Sequence, residues 1–152
     1  MASGDERRGT VQLIRYWESL RGNRHFPSED DIDFDVLAPL WDDCFLVHMQ
    51  DIATAGGRYA YTYVGKSIIT AYGVDMTGEE VPFITPQADK LRHHLPLVLQ
   101  ARGPIENASE FINGEGVCIK YRQCMVPFAR DDEHIDAVLG LMRMKRFPTE
   151  DL

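Results

Sequence analysis

Apolar residues first recur at helical spacing at Val11, Ile14, Trp17 and Leu20, with Leu13 and Tyr16 widening the stripe. That spacing predicts a helix over residues 10–22, capped by Thr10 and stopped by Gly22. A stripe this broad must dock on something. Pro27 bars the helix from continuing, and a short helical turn is expected after Asp33 or Asp35, limited by Pro39. The period then drops to two. Residues 44–50, CFLVHMQ, and 58–64, RYAYTYV, read as strands joined through Gly56-Gly57 as an antiparallel hairpin. In the second, Tyr59, Tyr61 and Tyr63 alternate with Arg58, Ala60 and Thr62, which predicts two unlike faces.

Residues 65–78, GKSIITAYGVDMTG, break the alternation and predict a short helix around Ile68, Ile69 and Tyr72. Thr85-Pro86 opens a longer helix with a buried stripe of Ala88, Leu91, Leu95, Val98 and Leu99, kinked at Pro96 and ended by Gly103-Pro104. Three strands follow, at 105–112, 117–128 and 135–145, separated by polar turns. The element order predicts an α+β fold: a five-stranded antiparallel sheet covered by helices on one face, with an additional N-terminal helix. The expected organisation is a flexible start over 1–9, the helix and an acidic connector over 10–42, a core over 43–147 and a tail over 148–152.

Composition narrows the function. The chain has 152 residues, 44% of them hydrophobic, which suits one domain with a real core. A formal net charge of −8 argues against a nucleic-acid binder, and the one basic run, residues 143–146, is interrupted by Met144. No apolar run reaches the roughly 18–20 residues that cross a bilayer, so no membrane partner is expected. The charged start MASGDERRG lacks a signal-peptide core, and three cysteines, an odd number, fit reduced thiols; both point to the cytoplasm.

Asp31, Asp33 and Asp35 alternate like the start of a calcium loop, but Val36 stands where the glycine is required and Asp42 where a bidentate Glu is expected. These carboxylates read instead as helix caps and partners for Arg21 and Arg24, so no metal is expected. There is no Gly-x-Ser-x-Gly, phosphate loop or His-Glu-x-x-His, and no catalytic residue is assigned. The nearest enzymatic alternative is an isomerase- or lyase-like pocket with a buried carboxylate beside Tyr61, Tyr63, Tyr72 or Tyr121.

The element order is that of PAS domains, and Val64-Gly65, Ile68, Tyr72-Gly73, Asp75 and Thr77-Gly78 resemble the PAS pattern in which strand two runs into short helices. Tyr16-Trp17, Leu20-Arg21-Gly22, Arg24, Pro27 and Asp31-Ile32-Asp33 are similar to a bacterial subfamily of stand-alone, single-domain PAS proteins. The resemblance runs from Val11 to Arg146. It implies a sensory or regulatory domain rather than an enzyme, with a cavity between sheet and helices and a dimerising N-terminal helix or outer sheet face. Without an output domain such a chain would signal through a partner protein. The candidate cavity comprises Phe45, Val47, Met49, Tyr61, Ile68, Tyr72, Leu95, Leu99, Ile119, Tyr121 and Met125, suited to a small apolar or aromatic ligand. The candidate partner or homodimer surface comprises Val11, Ile14, Tyr16, Trp17 and Leu20. For haem, which some PAS domains hold through a histidine, His93 and His94 lie on the kinked helix with His94 beside its apolar stripe, His48 lies on the face opposite Phe45, Val47 and Met49, and there is no Cys-x-x-Cys-His, so no haem is expected. Flavin photochemistry would need a cysteine that residues 65–72 lack.

Overall fold

A helix α1, Gly4–Arg21, opens the chain in the computed structural model, which describes residues 4–49, 59–81 and 86–148. Gly22, with φ of 58°, ends it, as the sequence implies. The start differs. The helix begins six residues before Thr10, and Thr10 is buried inside it rather than capping it, so residues 4–9 of the expected flexible start are helical.

The acidic connector is built from caps. Ser28 and Asp31 form a capping box on the 3-10 turn Glu29–Asp31, and Asp33 caps α2, Phe34–Leu37, by accepting from the Asp35 amide. A second 3-10 turn, Ala38–Asp43, leads into β1, Cys44–Met49. Then come β2, Tyr59–Val64; α3, Lys66–Tyr72; a two-residue strand β3, Glu80–Val81; and α4, Pro86–Ala101. The chain closes with β4, Ile105–Ile112, β5, Val117–Phe128, and β6, Ala137–Pro148. Gly73 ends α3 at φ of 80°, a left-handed conformation that residues with a Cβ adopt only at a cost. The Gly56-Gly57 link, the Thr85 cap and the end of the tail fall outside the described residues.

All strands pair antiparallel in the order β3-β2-β1-β6-β5-β4. The five expected strands are present, and β3 adds a short edge. The register settles the faces, because one row of cross-strand partners shares one side. Phe45, Gly140 and Met125 lie in one row; Cys44, Leu141 and Cys124 lie in the next, on the opposite side. On the first side, Ile68 of α3 and Leu95 and Val98 of α4 are buried; the second lies under α1. Both faces are therefore covered. No helix among the described residues is long and apolar enough to cross a membrane.

Candidate functional site: a tyrosine cavity and the helix behind it

Between the sheet and α3 a small cavity is lined by Phe45, Tyr61, Ile68, Tyr72, Met76, Tyr121, Gln123 and Met142. The strand side chains arrive by alternation from β1, β2, β5 and β6, so the cavity is a product of register rather than of any local motif. One irregularity matters. Leu46 pairs with Tyr63 and Val47 with Tyr61, leaving Thr62 as an extra residue in a β-bulge. The three tyrosines of β2 therefore do not share a face. Tyr61 points into the cavity, whereas Tyr63 stacks on Trp41 at 4.2 Å on the other side and donates to the Trp41 carbonyl. The simple alternation expected for this strand is corrected by the bulge.

The cavity is nearly full. Its volume is about 10 Å³, room for roughly one water molecule. Phe45 reaches across and lies against Gly140, where a Cβ would overlap the ring. Phe111 meets Tyr72 edge-on at 4.9 Å and Tyr121 at 6.0 Å. Burial raises the phenol pKa values of Tyr61, Tyr72 and Tyr121, so these groups stay neutral. Gln123 is buried and meets Nδ1 of His94, on α4, at 3.0 Å. Opposite Gln123 in register is Asn107, whose side-chain nitrogen and oxygen are both buried without a partner among the described residues. Sequence reading missed both of these amides, because a polar residue within an amphipathic strand pattern carries no sign of which face it joins.

Of the expected cavity residues, Phe45, Tyr61, Ile68, Tyr72 and Tyr121 line this space. Val47, Met49 and Leu99 meet elsewhere on the same side, with Tyr59, Ile135 and Val138. Leu95, Ile119 and Met125 are buried in the surrounding core. Asn113 ties the wall down: its amide nitrogen donates to the Ala71 carbonyl at the end of α3, while its oxygen accepts from Glu115 and Val117 in the β4–β5 turn. A flavin- or haem-sized group does not fit this volume without displacing side chains. All three thiols, Cys44, Cys118 and Cys124, lie on the opposite face, away from the tyrosines. His48 is also on that face, with Nε2 between the two Glu29 oxygens.

That face carries α1. Leu13 and Trp17 are buried, Ile14, Tyr16 and Leu20 pack partly against the core, and Val11 is 45% exposed. Trp17 Nε1 donates to the Pro127 carbonyl of β5 at 2.6 Å. Most of the expected partner stripe is thus held by the chain's own sheet. Cys118 and Cys124 are buried there too, and burial pushes the Cys44 and Cys124 thiols up to about 12. The acidic run serves structure: Asp31 pairs with Arg24 at 2.8 Å, and Arg130 bridges Glu29 and Asp30.

A family model described as PAS domain matches residues 6–143. Among solved structures, the chain is similar to a fungal LOV domain photoreceptor, with a TM-score of 0.51 and 17% identity over 89% of this chain and 91% of that one. It is similar to a light-oxygen-voltage domain studied with a flavin analogue, at a TM-score of 0.53 and 12% identity, covering 73% and 82%. The PAS domain of a protein from Colwellia psychrerythraea gives 0.50 and 15%, covering 72% and 94%. At these identities the likeness is one of fold. No curated protein matches the chain.

Proposed function

The chain belongs to the PAS domain family, and from that premise we propose that it is a sensory module that signals through a partner protein rather than by catalysis. The observation carrying this reading is that β5 and β6 serve two layers at once. Tyr121, Gln123 and Met142 face the cavity, while Cys124 and Leu141 on the same strands face α1. A close-packed sheet does not absorb a change on one side without shifting the other. Repacking at the tyrosines would therefore be felt at Trp17 and Pro127 and at the outer surface of α1, where Val11 and Arg15 are exposed. The cavity lining supports binding over chemistry: among the described residues it carries no carboxylate base, and its phenols are held neutral.

Affinity capture from a lysate of the source cell, using the full chain and a Val11→Glu, Arg15→Glu variant, tests the partner claim. Both sites are exposed, so the variant should fold as the parent does. A specific protein retained by the parent and lost by the variant is expected. Failure of the full chain to retain any specific protein would overturn the reading.

Asn107 favours a second reading, in which a small ligand tunes the module. A buried carboxamide with neither atom paired costs roughly 1–3 kcal/mol per unmet group, and a guest offering a donor and an acceptor would recover this. Met76 and Met142 are the flexible wall through which an apolar or aromatic guest would gain room. Native mass spectrometry of freshly purified protein should then reveal a stoichiometric small-molecule adduct, displaced in an Asn107→Leu variant. Repeated absence of an adduct would leave the cavity a plain core.

A further inference from the structure

The sequence carries one basic run, residues 143–146, near the end of β6. In the fold it is not isolated. Arg143, Met144, Lys145 and Arg146 form one wall of a groove whose other walls are Asp42 and Asp43 before β1 and Lys66, Ser67, Thr70 and Ala71 of α3. Its volume is about 580 Å³, within the range of roughly 300–1,000 Å³ in which pockets hold ligands, and far larger than the tyrosine cavity.

Four cations and two carboxylates line it, so the groove is net positive on a chain whose formal charge is −8. Arg143 reaches Asp43 through Nη1 and keeps a buried Nε without a partner among the described residues. Arg146 meets Glu115 only at 3.9 Å, with both side chains well exposed. Lys66 has no ion-pair partner among the described residues. A solvent-facing cation cluster on an acidic protein focuses a local positive field that attracts anions.

We propose that this groove docks an acidic segment of a partner protein. The proposal rests on the reading that the chain signals through a partner. Residues 143–146 run along about 10 Å of strand at roughly 3.3 Å per residue. Charges strung out in this way match carboxylates spaced along a peptide rather than one compact anion. The groove also touches helices from both faces of the sheet. Ile68 and Tyr72 of α3 line the tyrosine cavity, while Lys66, Ser67 and Thr70 of the same helix line the groove. Gly9 of α1 packs directly against Arg143. An acidic segment seated here would sense the position of α3, and so the state of the cavity.

The test uses the full chain and a fluorescein-labelled decapeptide alternating Glu and Gly, with a Gln-for-Glu peptide as control, read by fluorescence anisotropy. The Glu peptide should bind, with affinity falling steeply as salt is raised. A Lys66→Glu, Arg146→Glu variant should weaken it by about tenfold or more, since reversing charge adds repulsion to lost attraction. An Arg102→Glu variant, just beyond α4 and outside the groove lining, should bind the peptide like the parent. Equal binding of the Gln peptide, no loss on charge reversal, or binding of inorganic phosphate while the Glu peptide is rejected would each overturn the proposal. If the Lys66→Glu, Arg146→Glu protein still captures the same cellular partner as the parent, the groove is wrong although the partner reading stands.

Discussion

Gly140 and Phe45 show how much of this interior is decided atom by atom. The glycine lies where β6 passes beneath the Phe45 ring, and the ring in turn fills the tyrosine cavity. Gly140→Ala should destabilise the protein by about 1–3 kcal/mol in urea unfolding, the usual cost of overpacking. In a Phe45→Leu background most of that loss should disappear. Persistence of the full loss would mean that the strain lies in the backbone instead. Cross-strand contact of this kind was not legible in the sequence, because Gly140 looks like any glycine in an apolar run until register sets it opposite Phe45. The buried thiols and phenols make a second residue-level case. Burial raises Cys44 and Cys124 from 9.0 to about 12 and raises Tyr61, Tyr72 and Tyr121 as well. A group that holds its proton more tightly when folded supports the fold fully below its unfolded pKa and withdraws that support as pH rises toward its folded one. Stability should therefore be unaffected by these groups from neutral pH to about 9 and fall between 9 and 12, in urea curves taken at successive pH values. A stability curve still flat at pH 11 would contradict this.

Among the elements, the acidic connector shows carboxylates working as caps and ties. Its carboxylates cap turns and tie chain segments together, as their spacing next to short helices implied. Asp33→Ala removes the cap of α2 and should cost about 1 kcal/mol. Asp132 does more, because one of its oxygens accepts from both the His25 and Phe26 amides and so holds the end of the α1 connection to the β5–β6 turn. Asp132→Ala should lower stability by about 1.5–3 kcal/mol, as loss of hydrogen bonds to a charged group does. Thermal unfolding of the two variants should rank them in that order, and equal losses would argue that the tie is local. The bulge at Thr62 escaped sequence reading for a physical reason. A bulge adds one residue to one strand only, and an alternating run of tyrosines looks the same with or without it. The long strands β4 and β5 were legible to the residue, because turn residues bracket them on both sides.

At the scale of the whole molecule, α1 is the part that closes the sheet. It covers β5 and β6 on the side of Cys124 and Leu141 and bonds to β5 through Trp17. Removing residues 1–24 should uncover that apolar face, so the truncated chain should associate on size-exclusion chromatography with light scattering. Its thiols should also react with iodoacetamide near pH 8, where the parent's resist. A monomeric truncation with protected thiols would mean that the outer face closes by itself.

The amino-acid pattern by itself determined the order of elements, the antiparallel α+β architecture, the caps of the connector and the family, since each depends on residues close together along the chain or on their sequence order. Only the tertiary structure decided that α1 turns its stripe onto its own sheet, that the tyrosine cavity is packed down to about 10 Å³, and that cations from α3 and β6 meet in one groove. Those outcomes depend on register, volume and the meeting of residues as distant as Lys66 and Arg146, none of which a local period encodes.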